Sequence, residues 1–360
     1  MKKPRQFSAL TGLISGLAAI LFFAEQAMAQ ALGTTHYCKV TVKPEVEIFS
    51  VVDYLGRGKR DMSLPSDYKT AVEAQFRQFQ KHPAIKYWQT LQKKHNLLPG
   101  DAGLMFSAEQ GRFLLSADAG KSGKATIKPA EWQQLEEHIS SFAAKSGFQD
   151  FHEANKSRYQ QWQNELQTAI DDKSYHYKLL TFMGSKKSFE VHPDPLDAWG
   201  TYQVSGQNPG KVLLVWGYAK NPDKSAAGPP HFADSAMLNN TLWHEMAHTY
   251  IHPLVMQQAA ELKKLPATDK VRRNASRYYE LTPEVAINEL LVRGMVASLT
   301  RQHFGDAAAE REIKRQLKTF GYDIAETERL LSQNYLKNRG KFPTIESFFP
   351  VLIAQFEAQP

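Results

Sequence analysis

The chain has 360 residues, with 12 histidines, a single cysteine and a formal net charge of +7. That length allows one large domain or two modest ones with a real core, and the lone Cys38 excludes an internal disulfide framework. Basic pairs such as Lys263-Lys264 and Arg272-Arg273 read as solvated helix faces; no basic patch interleaves with aromatics, which argues against a nucleic-acid partner.

The first residues, Met1-Lys-Lys-Pro-Arg5, precede an apolar run from Ala9 to Phe23 and then Ala27-Met-Ala29. A basic start, a short apolar stretch and an A-x-A site predict a signal peptide over residues 1–29, hence a periplasmic or secreted protein. The run is short for a membrane span and no later segment qualifies, so no span is expected after cleavage. Loss of Lys2, Lys3, Arg5 and Glu25 takes the formal charge from +7 to +5.

In chain order, Cys38 to Val52 is rich in β-branched residues and predicts one or two strands, with Pro44 at an edge or bulge. Ser66 to His95 carries a helical apolar rhythm broken near Pro83, and Ala130 to Asp171 carries another, both rich in aromatics that suit a core. Thr201 to Val204 and Lys211 to Tyr218 read as a hairpin around Gly206 to Gly210, with Val212 to Tyr218 either a docking edge for an extended peptide or a plain core strand. A helix capped by Asp234 or Ser235 is expected to stop at about His252, before Pro253. A further helix follows from Val255 to Lys264, then a polar link around Pro266 to Asp269. Thr282-Pro283-Glu284 predicts a helix start, and Gly305 its end.

The helix before Pro253 contains His244-Glu-Met-Ala-His248. Histidines four apart share one helix face, where two neutral imidazoles can hold one divalent cation. Glu245 lies where it can reach a water on that cation, acting as general base. A third protein ligand is needed, and Glu289 is the choice: a carboxylate amid Ala286, Leu290, Val292 and Val296 is costly unless paired or ligating. Arg293, four residues on, is its alternative partner or its orienting neighbour. Glu284 suits the helix dipole better, and His252 sits a turn beyond the pair with no glycine turn to bring it back. Tyr250, Tyr278, Tyr279 and His231 are open candidates for an oxyanion donor.

These residues resemble the gluzincin class of zinc metallopeptidases, which pairs HExxH with a glutamate on a later helix, here Asn288-Glu289. Arg293 stands where thermolysin-like enzymes have an acid, and the spacing to Glu289 is longer. The layout also resembles a bacterial family of uncharacterised secreted gluzincin-like proteins, through Val46 to Tyr54, Phe148-Gln-Asp-Phe151 with Tyr159, and His244 to Pro253. The resemblance implies one zinc ion held by His244, His248 and Glu289, with Glu245 as base. It also implies an α+β, predominantly helical fold: a zincin-like core with a small antiparallel sheet over 189–360, beside an N-terminal strand and helical lobe over 30–188. The expected function is zinc-dependent hydrolysis of a peptide or protein substrate. A periplasmic peptide- or partner-binding protein, and a zinc amidase of a cell-wall bond, are the alternatives.

Overall fold

Pro44 opens a helix where a strand edge was expected. At the first turn its missing N–H costs nothing, and Glu45 and Glu47 meet the positive end of the helix dipole. The result is α1 (Pro44–Arg57), and the predicted strand shrinks to β1 (Cys38–Val40). Val46 to Leu55 is buried throughout; Glu47, Ser50, Asp53 and Arg57 recur every three to four residues, a helical spacing that the β-branched composition masks. The structure, a computed structural model, describes residues 37–58, 65–109, 111–116, 127–197, 200–205, 211–217, 229–232, 238–275 and 282–357. The expected signal peptide and the Asp234 or Ser235 cap lie outside them.

Next come α2 (Asp67–Phe76), capped by the Ser66 hydroxyl accepting from Lys69 N–H at 3.0 Å, and α3 (Pro83–His95). α4 (Pro99–Gly103) leads into an antiparallel hairpin, β2 (Phe106–Glu109) and β3 (Arg112–Leu115). Four helices follow: α5 (Pro129–Ser146), α6 (Phe148–Ala154), α7 (Lys156–Lys173) and α8 (Tyr175–Met183). Their aromatics make the core of the expected helical lobe. Trp88, Trp132, Trp162, Phe76 and Phe142 are fully buried, and Phe76 meets Phe151 edge-on at 4.8 Å. Each such side chain contributes about 1.5–3 kcal/mol by leaving water.

The sheet is mixed, not antiparallel as expected. Its order is β1, β4 (Ser188–Asp194), β6 (Lys211–Gly217), β5 (Tyr202–Ser205), the first three parallel and β5 antiparallel to β6. The long helical crossover between β1 and β4 permits their parallel pairing. Cys38 to Pro360 is one compact unit, so β1 and the region after 189 share one sheet. Val212 to Trp216 is buried because β6 is paired on both sides. The edge strands are β1 and β5, so Val212 to Gly217 is interior, and Tyr218 lies outside the described residues.

α9 (Leu238–Gln257) runs through Pro253 instead of stopping before it. A proline there leaves the Thr249 carbonyl without its helical donor. The Lys187 ammonium replaces it, reaching Thr249 O at 2.5 Å while lying 4.5 Å from the Tyr250 ring centre. After α10 (Ala259–Leu262), the expected polar link is helical, as α11 (Pro266–Ala275). α12 (Pro283–Phe304) has the predicted bounds, with the Thr282 hydroxyl accepting from Val285 N–H. Gly294 lets α14 (Ala325–Leu330) approach it: a Cβ there would lie 2.4 Å from a Thr327 methyl carbon. Between them α13 (Asp306–Arg315) runs into a π turn, Gln316–Phe320, and α15 (Ile345–Glu357) closes the chain. No helix among the described residues is long and apolar enough to cross a membrane.

Candidate metal centre

α9 lies between the sheet and α12, and that packing brings the three predicted ligands together. His244 and His248 stack one turn apart, and Glu289 faces them from the middle of α12. The two histidine Nε2 atoms are 3.0 Å apart; His248 Nε2 is 3.3 Å from Glu289 Oε1, and His244 Nε2 is 3.6 Å from Glu289 Oε2. Zinc bonds of about 2.0–2.1 Å at tetrahedral angles place donors roughly 3.3–3.4 Å apart. The observed distances lie on either side of that value, with a different Glu289 oxygen toward each histidine, and one ligand atom from each residue lies within 4.8 Å of the others. Two imidazole nitrogens and a carboxylate oxygen are also a donor set that zinc favours. No other such convergence of three His, Cys, Asp or Glu donors occurs among the described residues.

Two neighbours hold this arrangement. Asn288 places its amide nitrogen 2.8 Å from His248 Nδ1, while its Oδ1 is buried without a hydrogen-bond partner. Turning the amide over lets His248 Nδ1–H donate to Oδ1, which leaves Nε2 bare for a cation. Sequence reasoning passed over this residue; its one signal is its place directly before Glu289. Arg293 donates from Nε to Glu289 Oε2 at 2.9 Å and from Nη1 to Gln316 Oε1 at 2.7 Å. Phe320 and Tyr322 flank its guanidinium at 4.7 and 4.9 Å. Glu289 is thus an ion-pair partner and a member of the histidine cluster at once.

A family model described as a domain of unknown function, DUF4932, matches residues 56–355. The chain belongs to the DUF4932 family. No curated protein and no solved structure matches it.

In this DUF4932 chain the electrostatics follow from burial. Burial, then the His248 charge, pushes His244 down to about 3. Burial also pushes Glu245 up to about 7. The Glu245 carboxylate accepts from the Gln203 backbone N–H, which ties it to edge strand β5. Burial would raise Glu289, but its hydrogen bond to His248 and the charges of His244, His248 and Arg293 hold it well below the carboxylate range. A cleft of about 420 Å³ opens over His244 and Glu245, walled by Thr241, Arg293, Arg315 and Phe320.

The weaker candidates lie elsewhere. His252 is exposed on α9, and Glu284 pairs with Lys263 at 2.5 Å. Tyr250 OH donates to Ser185 O at 3.2 Å, and His231 stands 3.6 Å from Glu165. Tyr278 and Tyr279 lie outside the described residues.

Proposed function

We propose that this protein is a zinc-dependent peptidase acting in the periplasm or outside the cell. The observation that carries the reading is the convergence of His244, His248 and Glu289 at tetrahedral donor spacing, beside a cleft that also holds Glu245. A zinc ion held by these three residues would supply Lewis acidity and lower the pKa of a water to about 7.

The chain's own residues complete the chemistry. Asn288 fixes the His248 ring, and Arg293 steadies the Glu289 carboxylate. Glu245, raised to about 7 by burial, is matched to take a proton at neutral pH and return it to a leaving amine. β5 carries the sheet edge beside Glu245, where an extended peptide can add as a further strand and set its scissile carbonyl over the metal. The location rests on the signal-like residues 1–29.

The test uses protein lacking residues 1–29, its zinc content and its cleavage of a peptide library. Glu245→Gln is expected to retain zinc and to lose a factor on the order of 10²–10⁴ in hydrolysis. Unchanged turnover in that variant sinks the mechanism.

A further inference from the structure

The cleft has a charged wall that water activation leaves unused. Arg315, the last residue of α13, donates from Nε to Glu312 Oε2 at 2.8 Å and from Nη2 to Glu312 Oε1 at 2.7 Å. An exposed pair of this kind is ordinarily mobile and contributes little. Here it is fixed from behind. The Glu312 side chain is only 7% exposed, and Gln316 Nε2 donates to its Oε1 at 2.6 Å. Gln316 in turn accepts from Arg293, so the fork is built onto the pair that steadies Glu289. The Phe320 ring lies against both guanidiniums, 4.7 Å from Arg293 and 5.6 Å from Arg315.

Arg315 remains 45% exposed, lines the cleft with His244 and Glu245, and its Nη1 makes no hydrogen bond among the described residues. In this wall Arg293 and Arg315 are balanced by Glu289 and Glu312. A divalent ion at the histidines would add positive charge to this wall. Arg315 is the organic cation in it that an arriving substrate reaches. Its spare N–H groups match a carboxylate, for which guanidinium is the strongest side-chain partner.

We propose that Arg315 receives a substrate carboxylate, so that the cleft selects peptides carrying an acidic side chain or a free C-terminal carboxylate next to the scissile bond. This rests on the peptidase reading above, and it makes Arg315 a specificity-determining residue.

Two peptide sets separate the two sources of carboxylate: C-terminally amidated peptides with internal Asp or Glu, and acid-free peptides with free C-termini. Each is compared with an acid-free amidated control. Cleavage by the zinc-loaded wild type is followed by mass spectrometry, and binding to zinc-loaded Glu245→Gln protein by fluorescence anisotropy. One set is expected to exceed the control by about tenfold or more, and Arg315→Ala to erase that preference. Arg315→Lys should restore part of it, and Arg315→Glu should turn it toward Lys- and Arg-containing peptides. Thermal melting of each variant verifies folding. Cleavage that ignores acidic groups, or a preference that survives Arg315→Ala, overturns the proposal and leaves the peptidase reading standing. Arg315-dependent binding without any cleavage by the wild type sustains carboxylate capture and removes the peptidase. Absence of both removes both.

Discussion

Two clusters of histidine and glutamate among the described residues, one beside the cleft and one sealed in the core, differ in arrangement. In the first, His244, His248 and Glu289 bring three donor atoms together beside a cleft. In the second, Glu47 on α1 faces His192 on β4, with Nε2 to Oε2 at 3.6 Å. Glu47 is pushed up to about 7 by burial, as Glu245 is, and burial takes His192 down to about 4. Yet both Glu47 and His192 are 0% exposed. His192 Nδ1 accepts from Lys43 N–H at 3.1 Å, and Glu47 accepts from Tyr68, whose hydroxyl lies 2.9 Å from that of Tyr159. Asp194 is committed to Ser50 at 2.6 Å and Leu196 N–H at 2.8 Å. A displaced pKa therefore marks burial in both places. Glu47 Oε2 and His192 Nε2 even lack a hydrogen-bond partner among the described residues, so what separates the two clusters is a third converging ligand atom and a way in from solvent.

The sharpest way to break that contrast is metal content. Glu289→Ala is expected to lower zinc affinity by more than a hundredfold, since removing even an outer partner costs 10–100-fold. Glu47→Gln should keep the wild-type stoichiometry in the same elemental analysis. Equal zinc loss in both variants would erase the distinction. Asn288→Ala comes next, with an expected 10–100-fold loss of affinity read by chelator competition, and Asn288→Asp recovering part of it as an acceptor for His248 Nδ1. Affinity unchanged in Asn288→Ala would mean that His248 is oriented by its packing alone.

How much of this was legible in the sequence depends on how local the cause is. His244 and His248 were readable because one helical turn relates them, and the bounds of α12 because Thr282, Pro283 and Gly305 act on their own neighbours. Glu289 was readable as a charge that an apolar helix does not tolerate alone. The failures have distant causes. Pro253 stays inside α9 only because Lys187, far off in the chain, covers Thr249 O. Pro44 reads as a strand edge because the β-branched residues after it outweigh the polar stripe of α1, Glu47, Ser50 and Asp53, which is buried against distant partners. Edge and core strand stay equally open for Val212 to Tyr218 in the sequence, because pairing partners, not composition, decide that β6 is interior and β5 is at an edge. Asn288 and the Glu312–Arg315 fork gained meaning only once α9, α12 and α13 stood side by side.

The remaining tests address the sealed cluster and are smaller. Tyr68→Phe takes away the hydroxyl that Glu47 accepts from and strands Tyr159, at an expected cost of about 1–3 kcal/mol in denaturant unfolding with zinc binding intact. Wild-type stability in that variant would show that the contact is replaced by water.

The last effect is a slope against pH. Glu47 moves from 4.5 to about 7 on folding, so its contribution is complete below 4.5 and is lost as pH rises through 7. His192 moves from 6.5 to about 4, so its contribution is complete above 6.5 and is lost as pH falls through 4. Between 4.5 and 6.5 the two slopes oppose each other and nearly cancel in the wild type. Glu47→Gln removes one and leaves the other, so the variant should gain on the wild type by about 1.4 kcal/mol per pH unit across that window. Urea midpoints at four pH values, with chelator present in every sample, cancel the metal ligands' own titration in the difference. Parallel curves would mean that Glu47 is already ionised in the folded chain, and the sealed cluster would then be an ion pair instead of a neutral strut.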